Sequence, residues 1–499
     1  MTRFTLSPIG RASAALLGLL AGLSLLTAPA LGQSPAQPAA PGATTGSPPG
    51  APLSAPLSAP LSAPLGTPPG APIGAPPGMP PGMPPPSSEP VNLRAALMLS
   101  DATALPPGRT LRATQDELGG LLVAGRSHLR ADGLSVEVLG RGKSDFDGVA
   151  AGVLVKDGST LTLRDARITT RGVVAAAATA MGEATLRVQR STLVAEGGPL
   201  PSGYVRRIGP GMMEPPTPLG ITGTARTTLV LGRAKAFYED SRIVADGWGA
   251  LSTDAAQGAY LQVDRCRVLV RRSGYGTYAD NGAAVVINDS TLDVPTFGGV
   301  IAGQASLALT RVRSRSGGNT VMIHNVMGRP DELATLRLTG GTLRSTNAAI
   351  VVKSANADIV LEGTRLEARN GDLLLAVIND DSHRTRLQGA TAPGSRAVLR
   401  HARLNGNLLN LDSERPLRVA LEGTQLRGRV HEVALSLDAT SRWTATADSS
   451  VLLAAPTTLA QLDAPRGVTI RAKLQGAALA PGRHTLAQGG TLEVQDVAQ

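Results

Sequence analysis

One spacing recurs along most of this chain: apolar, any residue, apolar, four residues, apolar. It occurs at Leu161, Leu163, Ile168 and at Leu186, Val188, Leu193, then at Leu261, Val263, Val268 and at Val285, Ile287, Leu292. Further copies are Leu336, Leu338, Leu343; Ile359, Leu361, Leu366; and Val419, Leu421, Leu426. Weaker copies stand at Ala236, Tyr238, Ile243 and at Ala397, Leu399, Leu404, and Leu307 with Leu309 begins a copy whose third position, Ser314, is polar. Successive copies are 25 residues apart from 161 to 186 and from 236 to 261, 24 from 261 to 285, 22 from 285 to 307, and 23 from 336 to 359. A period of roughly 20–30 residues with strand-like alternation predicts a solenoid.

Within each copy the two apolar residues two apart face one side of a strand, and the residues between them (Thr162, Arg187, Gln262, Arg337) are polar and face solvent. The four-residue gap carries turn chemistry, as in Glu362-Gly363-Thr364-Arg365 and Thr339-Gly340-Gly341-Thr342. No stretch sustains the i, i+3, i+4, i+7 stripe of a helix. Leucine-rich repeats share the period, but their L-x-x-L-x-L frame and Asn ladder are absent. A coil of about 24 residues holds three short strands and three turns, so the expected fold is all-β: a right-handed single-stranded parallel β-helix. Stacked about 4.8 Å apart, residues 100–440 would make about fourteen coils and a rod on the order of 65 Å. Hydrophobic residues form 42% of the chain but aromatics only 2%, which suits the narrow repeating interior of such a stack.

The repeat does not begin at the N-terminus. Residues 1–32 place Arg3 and Arg11 before an apolar run from Ala12 to Ala28, then small-residue sites at Ala28-Pro29-Ala30 or Ala30-Leu31-Gly32. That order is a secretory signal peptide; the run is short for a membrane span of about 20 residues. No Cys follows it, which argues against a lipoprotein. Residues 33–90, with APLSAPLSAPLSAPLG at 51–66, are Pro/Ala/Gly-rich and read as a disordered linker sampling polyproline II. At roughly 3.1 Å per residue it reaches at most about 180 Å. Residues 91–450 then form the β-helix, and 451–499 a C-terminal capping segment. The interruption at 197–227 is too rich in Pro and Gly to be a coil; it reads as a projecting loop, with Arg206-Arg207 and Met212-Met213 as a contact patch.

The net charge is +10, and five of the 48 basic residues are Lys. Arginine suits phosphate or carboxylate recognition, although a GC-rich genome is the plainer source of the bias. The charges look spread singly along the chain rather than gathered in a stripe, which argues against nucleic acid as a partner. Cys266, the one cysteine, falls in a turn between strands and can form no intrachain disulfide. The six histidines (128, 324, 383, 401, 431 and 484) show no paired spacing, so neither a metal nor another cofactor is expected.

The repeated frame ATLRVQRSTLVAEGG, AAVVINDSTLDV, ATLRLTGGTLRSTNAAIVV and ADIVLEGTRLEARNG resembles the pertactin-type passenger domain of autotransporter adhesins over about residues 110–450. The closing segment LSLDATSRWTATADSSVLLAAPTTLAQL, at 435–462, looks like the end of such passengers, with Trp443 leading into the last coils. The resemblance implies a β-helix whose region 430–499 seeds folding, hence an autochaperone-like role. It departs from the family in two ways. The sequence ends at Gln499 without a C-terminal outer-membrane barrel, which implies a stand-alone passenger-like protein using a separate translocator or staying in the periplasm, or a truncated gene. It has no Arg-Gly-Asp triplet.

Other parallel β-helices cleave polysaccharides, with acids gathered on one face for acid/base work or for Ca²⁺. Two segments are candidates. Asp380, Asp381 and His383 pair carboxylates with an imidazole, though Asn, Asp and Ser are also what a solvated turn favours. Trp248, Tyr260, Tyr275 and Tyr278 are four of the seven Trp and Tyr residues; spaced by about a coil, they could stack on sugar rings, with Asp254 and Asp280 taking hydroxyl hydrogen bonds. The plainer account is packing between neighbouring coils. No catalytic residue is assigned. The expected function is an exported, adhesin-like recognition module, monomeric, binding a glycan or protein on a host or environmental surface. A polysaccharide lyase or glycoside hydrolase and a structural envelope rod are the alternatives.

Overall fold

The computed structural model describes residues 92–209, 211–256, 258–325, 331–379 and 393–495. The signal peptide and linker expected over 1–32 and 33–90, and the cluster Asp380, Asp381 and His383, lie outside the described residues.

The regular structure of the described chain is strand, apart from two single-turn 3₁₀ helices at Thr217–Leu219 and Leu459–Gln461. None of its helices is long and apolar enough to cross a membrane. Each coil visits three parallel faces in turn. Strands Thr160–Arg164, Thr185–Gln189 and Lys235–Glu239 stack on the first face, Arg167–Thr170 and Thr192–Ala195 on the second, and Val153–Val155 and Ala178–Ala180 on the third. This is a parallel β-helix, as the spacing predicts.

The register follows the apolar frame residue by residue. Leu161 pairs with Leu186, Leu186 with Ala236, Ala236 with Leu261 and Leu261 with Val285, while Ile168, Leu193, Ile243, Val268 and Leu292 form the matching column on the second face. All of these are buried. Each aliphatic side chain so buried contributes about 1.5–3 kcal/mol, and the coil-to-coil ladders satisfy the backbone. A one-residue slip would turn a whole column outward, which fixes the register. Ser314 continues the second-face column at 5% exposure, and its hydroxyl lies 3.3 Å from that of Ser316, so the polar position of the frame is satisfied inside.

The third face is different, being buried on both sides. Outward residues Leu154, Leu229, Val300 and Met322 are closed off, as are the inward ones. Residues 139–150, 196–200 and 211–225 lie against its outer surface. In the last of these, Met212 and Ile221 are 5% exposed and share an outer apolar cluster with Val173, Trp248, Tyr275 and Phe297. The interruption expected at 197–227 is no coil as far as 225, where strand Arg226–Gly232 takes over; its later part folds back as a cover with Met212 buried, while Val205 to Ile208 stand exposed and Arg206 pairs with Glu214. At the far end the final pair, Gly482–Thr485 with Thr491–Val494, is antiparallel.

Candidate functional site

Strand Arg242–Ala256 runs unbroken from the second face onto the third, as does Arg267–Ala279 one coil further on. The corner falls at Trp248, which adopts φ of +60°, a left-handed conformation unusual for a residue of its size. Its neighbours in the stack, Gly223 and Gly274, also have positive φ, and a Cβ on either would lie within 2.4 Å of the Trp248 backbone. Glycine is required at both for the coils to close around this corner.

Beside Trp248, the side chains of Asp254, Tyr275 and Tyr278 gather around Arg226, a residue that no sequence pattern singles out, and Asp280 stands next to Tyr278. The Arg226 side chain is 2% exposed. Nε donates to Asp145 Oδ1 at 2.9 Å and Nη1 to Asp254 Oδ2 at 2.5 Å, and Nη2 also meets Asp145. Cζ lies 5.2 Å from the Trp248 ring and 5.8 Å from that of Phe146. Burial pulls the Arg226 pKa down, but Asp254 and the Tyr275 hydroxyl outweigh it and hold the group above its ordinary value. Tyr275 shares a hydrogen bond with Ser252 at 3.0 Å and packs 5.2 Å from the Tyr278 ring. Thr253 Oγ1 accepts from the Asp280 amide at 2.8 Å.

Five of the six residues expected to form a ligand face thus come together, but as a pad beneath a cover. Trp248 and Tyr275 are 2% and 1% exposed and are packed with Met212 and Ile221. Tyr260 is elsewhere: it stands on the first face, 5.7 Å from Phe237, with its hydroxyl donating to Gln262. Twelve residues separate it from Trp248, half a coil, so it faces another side.

An open concavity runs instead along the corner between the first and second faces. This groove, of about 480 Å³, is lined by Arg190, Arg242, Arg265, Arg267, Asp240 and Asp289, with Thr192 and Thr291 beside them and Ser191, Ser241 and Cys266 at its floor. Four cations against two anions leave it net positive. One wall is the left-handed residue of each corner turn: Asp165, Arg190, Asp240, Arg265, Asp289 and Arg311, all with φ near +50°. These alternate in sign and neutralise one another. Arg190 holds Asp165 bidentately at 2.9 and 2.7 Å, Arg311 holds Asp289 at 2.6 Å, and Arg265 reaches Asp240 at 2.8 Å. Each arginine holds its acid below the usual carboxylate range, chiefly through these hydrogen bonds.

The other wall is the first residue of each second-face strand. Arg167 is in register with Thr192, Thr192 with Arg242, Arg242 with Arg267, Arg267 with Thr291 and Thr291 with Arg313. Arg167, Arg242, Arg267 and Arg313 are exposed and have no ion-pair partner among the described residues. The sequence reading missed this column because its members lie about 25 or 50 residues apart and look isolated. The signal was present: each arginine or threonine immediately precedes the third position of the repeated frame. Charges spread singly in sequence are gathered into a stripe by the coil period.

Cys266 lies between strands as expected, yet it is buried, and burial pushes its thiol up to about 12, so it is no thiolate at neutral pH. Among the described residues no group of three or more His, Cys, Asp or Glu is placed to hold a metal ion.

Fold and groove together define the class: a parallel β-helix with a cationic corner running across its coils. No protein-family model matches the chain, and no curated protein matches it in sequence.

Proposed function

We propose that this chain is an exported recognition module, an adhesin-like β-helix of the pertactin-type passenger kind, which binds a partner along the corner groove. The observation that carries the reading is the column of exposed, unpaired arginines beside a wall whose charges are already matched. Binding sites gather unmatched polar groups in accessible concave surface, whereas charges needed only for solubility can be scattered. The N-terminal signal-like segment and the Pro-rich stretch 33–90 support export and a spacer between anchor point and β-helix. Region 430–499 would seed the stack.

The test pairs binding with chemistry. The purified chain, exported and processed by a bacterial host, is applied to a glycan and surface-protein array, and the bound glycans are then assayed for new reducing ends and unsaturated products. Retention without product release is the expected result. Product release would overturn the reading in favour of a polysaccharide-cleaving enzyme, and neither binding nor cleavage would leave a structural envelope protein.

A further inference from the structure

We infer that the arginine column is a binding track for a linear anionic polysaccharide lying across the coils along the corner groove. This rests on the reading of the chain as a recognition module and names its ligand class.

Three observations carry it. First, Arg242 and Arg267 are register partners on adjacent coils, both exposed. Like charges directly opposite in a ladder destabilise it. The neighbouring turn column avoids that penalty by alternating Asp with Arg, so the unpaired column is a departure within the same corner, as expected where a ligand supplies the missing anions. Second, the repeat is linear. Coils stack about 4.8 Å apart, so Arg167, Arg242, Arg267 and Arg313 present cations at intervals of about 10, 5 and 10 Å. A small anion would need one such site; a polymer with acidic groups along its length can engage several at once, each guanidinium offering a planar fork to a carboxylate or sulfate. Third, Thr192 and Thr291 fill the intervening places with hydroxyls, which suit sugar hydroxyls, and no aromatic ring lines the groove. Single-stranded nucleic acid binds on aromatic stacking platforms, so the observations favour a glycan.

The experiment compares the full chain with Arg242→Gln/Arg267→Gln and with a control, Arg233→Gln/Arg483→Gln. The control removes the same charge from arginines paired with Glu183 and Glu493. The probes are polygalacturonate (carboxylate), heparin (sulfate), neutral dextran and oligo(dT), with affinities measured at low and high salt. The column variant is expected to lose about tenfold or more for at least one acidic glycan, while the control loses less than about twofold. Binding should weaken with salt, and the Tm of the column variant should be no lower than that of the parent. Equal losses in both variants, tighter binding to oligo(dT) than to either acidic glycan, or no acidic-glycan binding by the parent would each overturn the inference. Array binding to a neutral glycan or a protein, unchanged in the column variant, would overturn the track while leaving the recognition reading standing.

Discussion

The amide of Ser241 donates to the sulfur of Cys266 at 3.4 Å, and the thiol donates in turn to the carbonyl of Asp264 at 3.3 Å. The pair is one step of a ladder inside the first corner: Ser191 N donates to Ser241 Oγ at 3.1 Å, and Cys266 N to Ser290 Oγ at 2.9 Å. Each serine hydroxyl also donates to the carbonyl two residues before it, at 2.7 Å for Ser191, Ser241 and Ser290. The left-handed turn residue takes the chain out of the sheet ladder, and the corner amide that follows must be satisfied by a side chain. Cysteine is a weaker donor and acceptor than serine. Cys266→Ser is therefore expected to keep the fold and raise stability by up to about 1 kcal/mol, whereas Cys266→Ala, which orphans the buried Ser241 amide, costs about 1–3 kcal/mol. Urea denaturation of the two variants gives the comparison; a stable alanine variant would show that the ladder contributes nothing.

Gly249 lies under Tyr275, its register partner on the next coil. A Cβ at Gly249 would sit 2.0 Å from Tyr275 Cε2. Gly249→Ala should cost about 1–3 kcal/mol by forcing the ring off the sheet, with loss of the near-ultraviolet dichroism that the packed tyrosines produce. An unchanged Tm would mean that the ring has room to move.

How much of this was legible in the sequence follows from where each side chain points. The first two faces have solvent on their outer side, so their strands alternate, and every position of the apolar frame, including Ser314, takes its place in a stacked column. The third face is buried on its outer side as well, in part under 139–150 and 211–225; strands such as Phe297–Ala302 are buried throughout and carry no alternation to read. The cover itself was hidden by its Pro and Gly content, which excludes a coil but does not show which surface the segment lies on. Trp248, Tyr275 and Tyr278 come together because about one coil separates the first from the other two, and Tyr260 falls outside the group because half a coil does. Arg226 was invisible: its partner Asp145 is 81 residues away, and no periodicity links a cover loop to the strand beneath it.

Arg226 ties that cover to the β-helix. Asp145, 1% exposed, takes the guanidinium, while its amide donates to Met212 O at 3.1 Å and Ser144 Oγ accepts from Gly211 N at 2.9 Å. Arg226→Met leaves a buried carboxylate without its cation, at a cost of about 3–5 kcal/mol. Trypsin is expected to cut the variant after Arg206 or Arg207 well before it cuts the parent. Adding Asp145→Asn should recover part of the loss, because the stranded charge is then removed. Equal cleavage rates in parent and single variant would place the anchoring elsewhere.

Asp147 gives the cover a pH dependence of its own. Its carboxylate accepts from the Val149 amide at 2.9 Å, yet burial dominates and pushes its pKa from 3.8 up to about 6. The folded protein therefore holds a proton that the unfolded chain has released between about pH 4 and pH 6, so the contribution to stability is complete below pH 4 and is lost as pH rises through 6. Two pKa units correspond to about 3 kcal/mol as an upper bound, and partial exposure of the side chain reduces it. Asp147→Asn keeps an acceptor for Val149 and carries no charge. It should match the parent near pH 4 and exceed it by about 1–2 kcal/mol at pH 7, with a flatter profile between, as read by denaturant unfolding at several pH values. Parallel profiles for parent and variant would show that Asp147 titrates alike in the folded and unfolded chains.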